Sequence, residues 1–114
     1  MPNFFLDNDD LLFHLKHLPL QDVATWTEDG FGDAKKFDYA PTDAADAVDS
    51  YRRVLELVGH IAGDQIAPLS EEIDRIGSAW EDGVVTYAPG IRKSLDLLSQ
   101  ADLMGFTLPR KYGG

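Results

Sequence analysis

No cysteine occurs in the chain, and that absence removes disulfide scaffolds, thiolate metal centres and cysteine nucleophiles together. Basic residues are also scarce: 10 Lys and Arg stand against 20 Asp and Glu, a net charge of -10. A phosphate backbone demands the opposite sign, so nucleic acid is a poor partner, and an anionic membrane surface is disfavoured for the same reason. No apolar run approaches the roughly 20 residues of a membrane span, and the N-terminus lacks a basic segment leading into an apolar one. The expectation is a soluble, unprocessed, cytoplasmic protein. Gly30 and Gly32 have neither the preceding strand nor the following helix of a phosphate loop, and no nucleophile elbow is present.

What is present is a long helical pattern. Val48, Tyr51, Leu55, Val58, Ala62, Ile66, Leu69, Ile73 and Ile76 recur in steps of three and four, the period of one helix face. Val54, Leu57 and Ile61 widen that stripe and predict neighbours on more than one side. On this reading a charge at Leu55 unfolds the domain. Thr42 is the expected N-cap, with Asp43 and Asp46 placed against the positive end of the helix dipole. Pro68 cannot donate to the carbonyl four residues back and its ring crowds that carbonyl, which predicts a kink near Ala67 before the helix resumes.

At 114 residues the chain is one domain or a piece of one. Phe4, Phe5 and Leu6 open it as an apolar clip. A short helix follows, capped by Asp7 or Asn8, with Asp9 and Asp10 in its first turn and Leu11, Leu12, Leu15 and Leu18 facing inward. Pro19 ends it. Residues 20–26 predict a second short helix with Leu20, Val23 and Ala24 inward, and residues 27–41 a connecting loop. Beyond Ile76, Gly77 is expected to stop the long helix in the left-handed conformation. Asp82-Gly83 is a turn pair, and Val84-Val85-Thr86 is one short extended run that needs a strand partner from elsewhere. Pro89 suits the first position of a last helix, with Ile91, Leu95, Leu98 and Ala101 inward, Leu97 and Leu103 at its margins, and Gly105 as its end. Residues 106–109 are expected to be extended because Pro109 biases Leu108 that way. The ending on two glycines, straight after an apolar segment, reads as an interrupted chain.

Charge is uneven along the sequence. Residues 1–41 hold 8 acidic and 3 basic side chains, 42–82 hold 10 and 3, and 83–114 hold 2 and 4. A solvated face explains such blocks without a partner. The same reading covers the carboxylates of Glu71, Glu72 and Asp74. His14 and His17 stand at zinc-ligand spacing with Asp10 one turn earlier, but no further ligand is evident, and exposed histidines on an amphipathic helix are the plainer account. His60 beside Gly59 reads as a partly exposed or core-edge residue. Trp26, Trp80, Phe4 and Phe5 suit a core or a docking face better than cofactor stacking. No catalytic constellation emerges.

Three segments carry a resemblance. Ile66-Ala67-Pro68 is followed by Asp74-Arg75-Ile76-Gly77, and a helix then runs into Gly105-Phe106-Thr107-Leu108-Pro109-Arg110-Lys111-Tyr112-Gly113-Gly114. In that order they resemble the N-terminal α-helical domain of the acyl-CoA dehydrogenases over residues 38–114. Residues 1–37 form an N-terminal helical extension and loop. That extension and the insert at 82–90 look like the larger bacterial members, including the 3-methylmercaptopropionyl-CoA dehydrogenase-like branch. The resemblance implies an all-α fold, incomplete at its C-terminal end, with a long central helix kinked near Pro68 and one short extended segment. It further implies an FAD-dependent oxidoreductase of fatty acid metabolism that removes two hydrogens from an acyl-CoA thioester. Its electrons pass to an electron-transferring flavoprotein, and the full-length enzyme is a homo-oligomer. In the family the flavin site and the proton-abstracting glutamate follow the Gly-Gly, so no catalytic, cofactor-binding or metal residue is assigned here. This chain alone is expected to be inactive and to bind no FAD, its immediate partners being the remaining domains. A different class of function, an acidic helical protein-interaction module without catalysis, is the alternative.

Overall fold

A computed structural model describes residues 1–114, and it is mostly helical. Five α-helices run in order: α1 (Asp9–His17), α2 (Leu20–Thr27), α3 (Ala44–His60), α4 (Ser70–Ile76) and α5 (Pro89–Gln100). Two strands, β1 (Ser78–Glu81) and β2 (Val84–Tyr87), lie between α4 and α5. The residues form two compact units. One is Phe4–Gly59, and the other joins Met1–Asn3 to His60–Gly114.

In Phe4–Gly59, α1 begins at Asn8, whose side chain accepts from the N–H groups of Asp10 and Leu11 at 3.1 Å. That satisfies two of the four backbone donors a helix start leaves free. Leu18 turns extended ahead of Pro19 and closes the helix, as the proline requires. The inward face expected for α1 is covered only in part: Leu12 and Leu15 are half-buried, Leu11 and Leu18 are exposed, and no residue of the helix is fully buried. In α2 Ala24 is buried while Val23 is exposed. The loop expected over 27–41 contains a distorted 3-10 stretch, Asp29–Lys35, in which Gly30 and Phe31 both take positive φ.

The cap of α3 is one residue later than the sequence suggests. Asp43 Oδ1 accepts from Asp46 N–H at 2.9 Å, and the Asp46 carboxylate reaches back to Thr42 N–H at 2.9 Å. Aspartate outcompetes the threonine because its charged oxygen binds the first-turn amides more strongly and also opposes the helix dipole. Tyr51 donates from its hydroxyl to Glu28 Oε1 at 3.0 Å, and Phe4 N–H donates to the Gly59 carbonyl at 3.0 Å. These two bonds tie α3 to the end of α2 and to the first residues of the unit. The buried side chains of this unit are Phe5, Ala24, Ala40, Pro41 and Ala47, of which Phe5, at 3% exposure, is the largest. Leu55, placed on the central stripe by the sequence, is 38% exposed, and Val54 and Leu57 are exposed too. The other stripe residues except Ile76 are half-buried, so periodicity marks residues able to be covered, and Leu55 is one that is not.

In the second unit the break expected at Pro68 takes a different form. Residues Ile61–Ile66 make a π-helical turn, Ala67–Leu69 a 3-10 turn, and α4 then resumes. Ala67 N–H donates to the Ala62 carbonyl five residues back. The wider turn draws the preceding carbonyls out of register with the proline ring, so helical dihedrals persist at Ile66, Ala67, Leu69 and Ser70. Gly77 ends α4 with φ 63 and ψ -155, a positive φ but not the left-handed helical region. Such a combination is open essentially to glycine alone.

The single extended run expected at Val84-Val85-Thr86 has its strand partner immediately upstream. β1 and β2 pair antiparallel, with Ser78 opposite Tyr87 and Glu81 opposite Val84. Asp82 and Gly83 both take positive φ, 50 and 81, as the two-residue turn matching the strands' twist requires. β1 was hidden in the sequence because Ser, Ala and Glu are weak strand formers. Pro89 opens α5 as expected, and α4 approaches α5 closely at Gly90. Of residues 106–109 only Pro109 is extended, with φ -57 and ψ 143; residues 106–108 turn. Leu108 N–H donates to the Gly105 carbonyl at 2.8 Å, folding a turn ahead of a 3-10 stretch at Arg110–Tyr112. In this unit Ile61 and Ala88 are the buried apolar side chains.

Candidate functional site

Neither unit buries a polar or charged side chain. Catalytic groups acquire altered acidity through burial or close like charges, and no such enclosure exists here. His14 and His17 are exposed beside Phe13, whose ring centroid lies 4.4 Å from that of His17. No group of three or more His, Cys, Asp or Glu side chains gathers closely enough to hold a metal ion. Glu71, Glu72 and Asp74 stand exposed on α4, a solvated face. His60 Nε2 lies 4.0 Å from Asp64 Oδ2 across the start of the π-helical turn, with no nucleophile joined to the pair. On α3, Arg52 reaches Glu56 at 2.8 Å and Asp49 at 3.8 Å, and Arg53 also pairs with Asp49. Pairs this exposed contribute at most about 1 kcal/mol each.

The apolar side chains are the informative surface. In Phe4–Gly59, Trp26 is 77% exposed, and Phe4, Phe13, Val54 and Leu57 are open to solvent as well. In the other unit Trp80 is 73% exposed, with Val84, Val85 and Tyr87 exposed beside it in sequence. Met104, Phe106, Leu108 and Tyr112 are exposed in the last ten or so residues, where Lys111 Nζ lies 4.8 Å from the Tyr112 ring centroid. Of the aromatic residues expected to form a core or a docking face, Phe5 is core and Trp26, Trp80 and Phe4 are surface.

Register sorts the hairpin into two faces. Side chains directly opposite share a side, so Trp80, Val85 and Tyr87 stand on one face and Ala79, Glu81, Val84 and Thr86 on the other. A two-stranded ribbon is marginal in water unless a third strand or a packed layer joins it. Sequence reasoning missed this face because β1 went unrecognised. Trp80, read with the two-residue spacing from Ser78, is the signal that could have found it.

No helix is long and apolar enough to cross a membrane. No protein-family model matches the chain, and no curated protein or solved structure matches it.

Proposed function

We propose that the chain serves as the N-terminal α-helical domain of an FAD-dependent acyl-CoA dehydrogenase, contributing a helical layer and no catalytic group. The observation that carries this reading is the ordered series of segments at 66–68, 74–77 and 105–114. Exposed apolar side chains on both units add support, since a domain built to pack against others keeps such surface uncovered. The residues present do not fit a flavin site. No buried donor or acceptor side chain is available to orient an isoalloxazine ring or a thioester. No step of the dehydrogenation is therefore assigned to them. The α,β-dehydrogenation of an acyl-CoA belongs, in this proposal, to a flavin-binding β-domain and a C-terminal helical domain.

The test is reconstitution. The purified chain is mixed with FAD and a short acyl-CoA, alone and with a flavin-loaded pair of those two domains from a family member. Flavin bleaching is followed. The expected result is no bleaching with the chain alone, and a stable complex with restored bleaching in the mixture. Flavin reduction by the chain alone, or no association with domain pairs from several family branches, overturns the proposal. The alternative of an acidic interaction module draws on the net charge of -10. It gains ground where the chain ignores flavoprotein domains but retains a basic partner in a salt-sensitive complex.

A further inference from the structure

We infer that the free edge of β2 is a pairing edge for a second copy of this chain, the two copies joining their hairpins across a two-fold axis into a four-stranded antiparallel sheet. The inference is independent of the dehydrogenase reading, and either can fail alone.

The hairpin has two open edges, and the sequence distinguishes them. β1 ends in Glu81 and runs into Asp82. β2 lies in residues 83–91, nine positions without a charge in a chain that is 26% charged. Copies bearing -10 each repel one another, so self-association is least opposed where neither copy presents charge. Val84, Val85, Thr86 and Tyr87 are also strong strand formers, and all four are exposed. Natural edges are usually blunted by lysine, proline or an inward-pointing charge. This edge has none.

The turn sets which residues point their backbone outward. A two-residue connection makes Glu81 and Val84 a hydrogen-bonded pair, and the pattern alternates from there. Val85 and Tyr87 therefore aim their N–H and C=O groups away from β1. No backbone hydrogen bond outside the hairpin reaches them. One register both uses those groups and keeps the Trp80, Val85 and Tyr87 faces continuous. In it Val85 lies opposite Tyr87 of the second copy, and Tyr87 opposite its Val85. Thr86 then meets its own counterpart on the axis, as a pair without hydrogen bonds. Such a contact is isologous and closes as a dimer.

The axis at Thr86 makes the proposal testable, because within one hairpin the cross-strand partner of Thr86 is the uncharged Ala79. Sedimentation of the wild-type chain at roughly 50 µM should report a dimer. Thr86→Lys and Thr86→Glu each set like charges across the axis and should raise the dimer Kd by roughly tenfold or more. An equimolar mixture of the two variants should restore the dimer. The chain has no cysteine, so Thr86→Cys supplies a single thiol. Paired Cα atoms about 4.5 Å apart across the axis are within disulfide range, so mild oxidation should cross-link this variant. Val84→Cys, whose counterpart lies four residues further along, roughly 13 Å away, should not cross-link. A wild-type chain that stays monomeric at this concentration overturns the inference, whether the edge binds an unrelated extended peptide or is covered by further polypeptide of its own. A dimer that survives Thr86→Lys, a mixture that stays monomeric, or equal cross-linking at 84 and 86 overturns the edge or the register.

Discussion

Gly90 offers a substitution whose sign depends on one neighbour. It is the second residue of α5 and is buried. A Cβ added there would lie 2.7 Å from Ile73 Cγ1 and 2.9 Å from Ile73 Cδ1, with Leu69 Cβ next at 3.5 Å. Two effects oppose each other in Gly90→Ala. Alanine suits a helix better and restricts the unfolded chain, a gain of about 0.5–1 kcal/mol. Forcing a methyl group into the contact costs about 1–3 kcal/mol as Ile73 leaves its rotamer or α4 shifts. Overlap wins, and the net expectation is a loss of about 1–2 kcal/mol. Ile73→Ala removes both clashing atoms. In that background Gly90→Ala should be neutral or stabilising by about 0.5 kcal/mol, because only the favourable terms remain. The coupling energy of the cycle is then about 1–2.5 kcal/mol. Urea titrations followed by circular dichroism suffice: at a slope of about 2 kcal/mol/M the single variant shifts the midpoint down by roughly 0.7 M. An equal loss in both backgrounds refutes the reasoning, since the closeness of Ile73 would then have no energetic content.

Asn8→Ala removes the only side chain capping α1, and the helix should lose about 1 kcal/mol, seen as faster hydrogen exchange at Leu11 and its neighbours. Leu55→Asp, expected from periodicity alone to unfold the domain, should instead cost no more than about 1–2 kcal/mol. The side chain is already 38% exposed, and its charge keeps access to water; a midpoint shift of several molar in urea would contradict this.

Helix identity was legible wherever capping and proline chemistry acted locally. Asn8, Pro19 and Pro89 mark their boundaries through the backbone donors they satisfy or lack, and these effects need no tertiary context. The π-helical turn at Ile61–Ile66 was not legible, because spacings of three and four over so few residues fit a wide turn as well as an α-helix. Nor was exposure. Leu11, Leu18, Leu55 and Leu95 carry the right period for burial, yet covering them requires surfaces that periodicity does not supply. Asp82-Gly83 announced its turn, whereas β1 drew its strand character from pairing with β2.

The small residues at the buried positions have an evolutionary consequence. Ala24, Ala40, Ala47, Ala88, Gly59, Gly63 and Gly90 account for most of what is buried, and Phe5, Pro41 and Ile61 are the exceptions of any size. A core of large side chains drifts by truncation and repacking. A core in which backbones approach over alanine and glycine has nothing to truncate, so its positions resist enlargement instead. Sequences diverging from this one should keep those small residues while their leucines, tryptophans and valines drift with whatever surfaces they meet. Ancestry in such a lineage would be read from its alanines and glycines.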